Sequence, residues 1–205
     1  MTLPTKTLNI NIPFELHITV DRLKTESIEH FTKLCAQIEA KPLLIQLSQG
    51  DSVEQPMISK IILDNNFDNV LKLASSYSSI LRKASYNVKR LKIEVPSMNA
   101  HLFENFTTSF RKYYEWHAKV NYDHVSLLLQ ICDTHKAHLS LNALKNSEAT
   151  RFITVREFGG KEFFDKRVND LKEELQSEGW NITKEQAEYC IYDNNEFLDN
   201  GWLPQ

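Results

Sequence analysis

The 205-residue chain is poor in glycine, with five, and in cysteine, with three. Each scarcity excludes something. No G-x-G-x-x-G, G-x-x-x-x-G-K-[ST] or G-x-S-x-G occurs, so the usual nucleotide-cradle and serine-elbow readings lose their support. Cys35, Cys132 and Cys190 are an odd number without C-x-x-C spacing. A disulfide framework is therefore not expected, and a reducing cytoplasm is the expected compartment. No stretch approaches the roughly 18 apolar residues of a membrane span. The first residues lack the basic region, apolar run and cleavage site of a secretory signal. A formal net charge of -3 argues against a generic DNA-coating protein. The expected protein is soluble and cytoplasmic, with neither membrane nor nucleic acid as partner; its oligomeric state is open.

What is present begins with ordinary globular composition, 41% hydrophobic and 25% charged, enough to bury a core without staples. An internal repeat organises it. Pro13-Phe-Glu-Leu-His-Ile-Thr-Val20 answers Tyr113-Tyr-Glu-Trp-His-Ala-Lys-Val120, both reading aromatic-Glu-x-His-x-x-Val. Leu34-Cys35-Ala answers Ile131-Cys132-Asp, and Tyr86-Asn-Val88 with Glu94 answers Trp180-Asn-Ile182 with Glu188. The offset drifts from 100 through 97 to 94, as small deletions in the second copy would produce. Residues 10–96 and 112–205 read as two copies of one unit, joined by 97–111 and packed as one body.

Within each copy, alternation and helical spacing succeed one another as β-α-β-β-α-β. Phe14–Val20 alternates, and Thr25–Ala40 is helical with Thr25 and Ser27 as candidate N-caps. Pro42–Ser48 and Met57–Leu63 are strands around a Gly50-Asp51 turn, followed by helix Asn69–Lys83 and strand Val88–Val95. The order matches the ferredoxin-like motif, so the expected fold is α+β, two tandem ferredoxin-like repeats in a pseudo-twofold body. Gly159-Gly160 reads as a turn needing positive φ. The acidic tail Asp193–Asp199 lacks the ligand order of a calcium loop and reads as a segment docking through Phe197 and Trp202.

Strand alternation puts Phe14, Leu16, Ile18 and Val20 under the helices and Glu15, His17 and Thr19 on the opposite face. The second copy likewise exposes Tyr113, Glu115, His117 and Lys119, and further along His138, Ser140 and Asn142. If the two helix-free faces turn toward one another, they enclose a polar cleft; the alternative is that both are solvated.

Three chemistries fit such a cleft. Glu15 with His17, and Glu115 with His117, each point one way from a strand and make a candidate divalent-metal set, with His138 as a further ligand. His17-Ile-Thr19 and His138-Leu-Ser140 resemble the paired H-x-[T/S] signature of 2H phosphoesterases. That resemblance implies that the two histidines exchange protons with attacking and leaving oxygens while Thr19 and Ser140 hold phosphate oxygens. The symmetry mate of His17, however, is His117, with Lys119 where Thr or Ser belongs. Glu115-Trp-His117-Ala-Lys119 is distantly similar to the E-x-E-x-K strand of CYTH-type triphosphate tunnel enzymes, and Arg90, Lys92, Arg151 and Arg156 suit a small anionic ligand. The stretches Tyr114–Lys119, Ala137–Lys145, Glu188–Asp193 and Leu198–Trp202 resemble a family of bacterial proteins of unassigned function, which implies no activity.

The leading expectation is a phosphoester hydrolase or related small-molecule enzyme. Its candidate catalytic residues are His17, His117, His138, Glu15 and Glu115, and its candidate substrate-binding residues are Thr19, Lys119, Ser140, Arg90 and Arg156. Acid–base chemistry is preferred over a metal cofactor. The alternatives are a non-catalytic ligand-binding or assembly module and a metal-binding protein.

Overall fold

The protein is described by a computed structural model over residues 7–106, 108–121, 125–144 and 150–202. In chain order it forms β1 (Thr7–Val20), α1 (Thr25–Gln37), β2 (Lys41–Leu47), β3 (Glu54–Asn66), α2 (Phe67–Lys83) and β4 (Val88–Pro96). There follow β5 (Tyr113–Asn121), α3 (Val125–Thr134), β6 (His138–Asn142), β7 (Thr150–Glu157), α4 (Lys161–Ser177) and β8 (Ile182–Asp193). The fold is mixed α+β. All eight strands join one antiparallel sheet, closed into a barrel in the order β1-β3-β2-β6-β7-β5-β8-β4. The two anticipated polar faces are thus one continuous inner wall. Two seams close it: β2 with β6 from Ile45↔Asn142 to Leu47↔Ser140, and β4 with β8 from Lys92↔Asp193 to Pro96↔Glu188. These seams join the two edges of the sheet over part of their length.

The apolar core lies between the outer barrel wall and the helices. Phe14, Leu16 and Ile18 are fully buried there, and alternation sends Glu15, His17 and Thr19 inside the barrel. α4 meets the wall with Phe164, Val168, Leu171 and Leu175, one apolar stripe at helical spacing. Each helix ends the same way. Glu39, Ser85, Lys136 and Gly179 take positive φ, and the following N–H reaches back to the last turn, as in Ala40 N to Cys35 O at 2.9 Å and Trp180 N to Leu175 O at 2.8 Å. The helix-to-strand corner therefore repeats four times with one geometry.

Several local expectations need correction. The N-cap of α1 is Lys24, with no side-chain cap bond, so neither Thr25 nor Ser27 fills that role. Positive φ falls on Gly50, Gly179 and Gly201, not on Gly159 or Gly160; Gly160 caps α4 at φ -69. The stretch after β4 packs on the core. It begins as a 3₁₀ helix over Ser97–Leu102, then packs Phe103 on Phe14 and Phe106 on Phe67, with ring centroids 5.9 and 5.0 Å apart. The Lys112 ammonium fastens it by donating to the carbonyls of Phe103, Glu104 and Phe106. The tail docks through Trp202, while Phe197 points to solvent. Lys145, the end of one family-like stretch, lies outside the described residues.

Opposite faces of β5 should respond differently to substitution. Trp116, 1% exposed under the helices, should lose about 3–5 kcal/mol as Trp116→Ala. His117→Gln, on the inner face, should change stability by no more than ~1 kcal/mol. Urea melts compare the two directly; equal losses would make His117 a core element.

Candidate ligand-binding site inside the barrel

The barrel encloses a cavity of about 220 Å³, and strand register sets its levels. At the base lie Arg90, Arg156, Gln55 and Leu47. Midway lie His17, His117, Glu115 and Glu188, and at the mouth Lys41, Lys119 and Lys184. One wall is charged. The other is apolar, lined by Leu43, Ile45, Leu47, Met57, Phe152 and Trp202.

The tail plugs the base. Asp199, 1% exposed, accepts from Arg90 Nη1 at 2.9 Å, Arg156 Nη2 at 2.6 Å and Gln55 Nε2 at 3.0 Å. Arg90 also grips Asp193 through Nε and Nη2, and the Tyr113 hydroxyl donates to Asp193 at 2.6 Å. Guanidinium forks suit this arrangement because two parallel N–H groups satisfy a carboxylate that has lost its water. Burial raises the pKa of Asp193 and Asp199, but the arginines outweigh it and both are held below the ordinary aspartate range. The plug also needs glycine. Gly50, at φ +111, would bring a Cβ within 2.9 Å of Asn200 O, and Gly201, at φ +73, lies against the Gly50 backbone.

The middle level is a lattice of carboxyl groups. Glu115, 1% exposed, accepts from Arg156 at 2.6 and 2.8 Å and from Lys92 Nζ at 2.7 Å. These cations overcome the burial that would otherwise raise its pKa and hold it far below the carboxylate range. Lys92 also stands 3.0 Å from Glu94 and His17 stands 3.3 Å from it, yet neither contact has hydrogen-bond alignment, so both Glu94 oxygens stay short of a donor. Gln186 Nε2 bridges Glu15 at 2.9 Å and Glu188 at 2.8 Å. Burial, together with the charges of Glu94 and Glu15, pushes the Glu188 pKa well up. Burial acts the same way on Glu15, but His17 and hydrogen bonds from Ser59, Gln186 and Glu188 bring it down to about 2. Burial and the neighbouring negative charges thus favour the protonated form of Glu188, and its partners favour the ionised form of Glu15. Besides the Glu94 oxygens, two buried atoms of residues lining the cavity have no hydrogen-bond partner: Arg156 Nη1 and His17 Nδ1. Each unmet group of this kind costs on the order of 1–3 kcal/mol.

Every candidate site residue except His138 lines this cavity: Glu15, His17, Thr19, Arg90, Glu115, His117, Lys119, Ser140 and Arg156. His138 has the inward parity of Ser140 but sits one step lower, against Trp202 at 6.0 Å between ring centroids, in a separate surface pocket with Asp133 and Lys136. Burial lowers its pKa. The His17–His138 pairing required by the H-x-[T/S] reading is not formed. Arg151 is absent from the cavity lining and donates to Thr150 O. The candidate metal set is not assembled either: among the described residues no three His, Cys, Asp or Glu side chains are placed to hold an ion. The Lys92 ammonium occupies the place between Glu94 and Glu115 that a cation would take. Sequence reasoning missed Asp199, Asp193 and the apolar wall. Asp199 gave no signal beyond an acidic tail, whereas Leu43, Ile45 and Leu47 were legible as one strand face that should pack somewhere.

Protonation of Glu188 has a measurable consequence. Because Glu188 has a raised folded pKa, its contribution to stability is complete below the unfolded value of about 4.3 and is lost as pH rises through the folded one. The depressed carboxylates Glu15, Glu115, Asp193 and Asp199 work the other way and lose theirs only in acid. Urea melts from pH 5 to 9 should show the wild type losing stability relative to Glu188→Gln as pH rises. A constant difference between the two would mean that Glu188 is ionised throughout.

No family model matches the chain, and no curated protein matches it. Among solved structures it is similar to the small subunit of acetolactate synthase from Thermotoga maritima, at 9% identity over 94% of this chain and 99% of that one, with a TM-score of 0.29. It is also similar to a heme-binding protein from Thermus thermophilus, at 11% identity over 93% of this chain and 94% of that one, with a TM-score of 0.31. At these scores neither likeness assigns a ligand or a family to the chain.

Proposed function

We propose that the protein is a non-catalytic module that binds a small molecule inside its barrel. We further infer that residues 10–96 and 112–205 are two ferredoxin-like repeats related by a pseudo-twofold axis across the barrel, with 97–111 as the connector. Strand neighbours support the second statement, since β4-β1-β3-β2 and β8-β5-β7-β6 follow one order. The axis pairs Glu15 with Glu115 and His17 with His117. Only one end of the barrel receives the tail, so the cavity has a floor and a mouth.

The observation that carries the binding reading is that this cavity is amphipathic while its arginines and Lys92 are already paired with carboxylates. Arg90, Arg156 and Lys92 are each committed to carboxylates. His17 Nε2 is turned to Glu15 and Glu94, and His117 lies between Glu115 and Thr154. A hydrolase needs a base and an acid flanking a reacting centre, and the placement of His138 in a different pocket from His17 favours binding over that reading. Small-ligand sites, by contrast, are mostly apolar concavities with a few fixed polar groups.

Two assays test this together. 4-Nitrophenylalanine, whose ring quenches tryptophan on contact, should quench the wild type saturably and lose that effect in Trp202→Phe. Bis(p-nitrophenyl) phosphate should release nitrophenolate no faster with the wild type than with a His17→Gln/His117→Gln double variant. Turnover that falls a hundredfold or more in the double variant would instead make the protein a hydrolase.

A further inference from the structure

The charges on the cavity wall do not balance level by level, and the imbalance points to the kind of molecule that completes it. The buried interior sets six carboxyl groups, those of Glu15, Glu94, Glu115, Glu188, Asp193 and Asp199, against three permanent cations, Arg90, Lys92 and Arg156. The arginines and the two aspartates satisfy one another at the base. The shortage of positive charge therefore falls on the middle level, where Glu15, Glu94, Glu115 and Glu188 have Lys92 among them and Glu115 shares Arg156 with Asp199. Glu188 is faced by Glu15 from β1, by Glu94 and Lys92 from β4, and by Glu115 and His117 from β5. Holding a proton there relieves the crowding. A cation brought by a ligand would relieve it better, because an ammonium group can donate to several carboxylates at once.

The mouth has the opposite imbalance. Lys119 and Lys184 stand directly opposite one another across β5 and β8, a pairing of like charges that destabilises a sheet. Among the described residues neither ammonium has a carboxylate partner, since the neighbouring Glu185 is engaged by Lys172 and Trp116. Both lysines line the cavity. Along β8, Lys184 is four residues from Glu188, about 13 Å between Cα atoms at the strand rise. Phe152, the register partner of Lys119 across β5 and β7, and Leu43 line the same cavity. Arg156 Nη1 and His17 Nδ1, both without a hydrogen-bond partner, lie on the same wall.

Resting on the ligand-binding reading above, we propose that the occupant is a small zwitterion with separated charges. Its ammonium end sits among Glu15, Glu115 and Glu188, its apolar body lies along Phe152 and Leu43, and its anionic end is held between Lys119 and Lys184. On binding, the Glu188 O–H bond breaks, its proton leaves to solvent, and the resulting carboxylate accepts from the ligand ammonium. Charge is conserved, and no covalent bond forms between protein and ligand.

The probes are 6-aminohexanoate, hexylamine and hexanoate, measured by titration calorimetry at pH 8 in two buffers of different ionisation enthalpy. The zwitterion should bind at least tenfold more tightly than either singly charged analogue and release close to one proton. Glu188→Gln should abolish the release and weaken binding tenfold or more. The mouth variant Lys119→Met/Lys184→Met should bring 6-aminohexanoate down to the affinity of hexylamine while the proton is still released. Hexanoate binding as tightly as the zwitterion, or hexylamine doing so, would overturn the proposal and leave ligand binding intact. The same holds if none of the three binds while 4-nitrophenylalanine still quenches Trp202. If that quenching is also absent, the binding reading falls as well.

Discussion

Closing an eight-stranded sheet on itself takes much of one face of the sheet out of bulk water. A polar face turned inward must then satisfy itself, because a buried charge left unpaired costs several kcal/mol. That constraint organises the interior of this protein. Arg156 alone joins β7 to Glu115 of β5 and to Asp199 of the tail. Arg90 joins β4 to Asp193 of β8 and to the same Asp199. Lys92 ties β4 to β5. The Arg90 and Lys92 pairs cross from one half of the chain to the other, so they tie the two halves together as well as neutralise the interior. An apolar interior would supply comparable stability; what the charges add is a fixed polar wall beside an apolar one.

The strand orders β4-β1-β3-β2 and β8-β5-β7-β6 match, and the tail, present at one end of the barrel, makes the two ends different. Gly50 and Gly201 let the β2–β3 turn and the tail approach backbone to backbone, Asp199 enters the arginine pair, and Trp202 covers the apolar wall with its indole donating to Leu139 O at 3.3 Å. The position of Arg90 at the base is matched at the mouth by Lys184. The same strand position is thus an internal tie at one end and an uncompensated cation at the other. Asymmetry of this kind gives a container a direction of entry.

Much of this was legible from residue order. The alternation of Phe14, Leu16 and Ile18 with Glu15, His17 and Thr19 separated the two faces of β1 correctly, and the repeat located the second set at Glu115, His117 and Lys119. Closure was not legible. The β2–β6 seam spans only Ile45–Leu47 and Ser140–Asn142, and nothing local to those residues names its partner. The misplacement of His138 has the same origin. Its parity is right, but its height in the barrel depends on strand stagger, which accumulates around the closed sheet and leaves no mark in any one strand. Asp199 was invisible for a further reason: its partners Arg90 and Arg156 lie 109 and 43 residues away.

The central claim is that the inner wall settles its excess of carboxyl groups by keeping Glu188 protonated beside an ionised Glu15. Carboxyl carbon chemical shifts of ¹³C-glutamate-labelled protein, assigned with Glu188→Gln and Glu15→Gln and followed from pH 5 to 9, test it most directly. The expected result is a neutral-acid shift for Glu188 at pH 7 alongside an ionised shift for Glu15, with Glu188 titrating well above the ordinary carboxylate range. Ionised shifts for both residues across the whole range would contradict it.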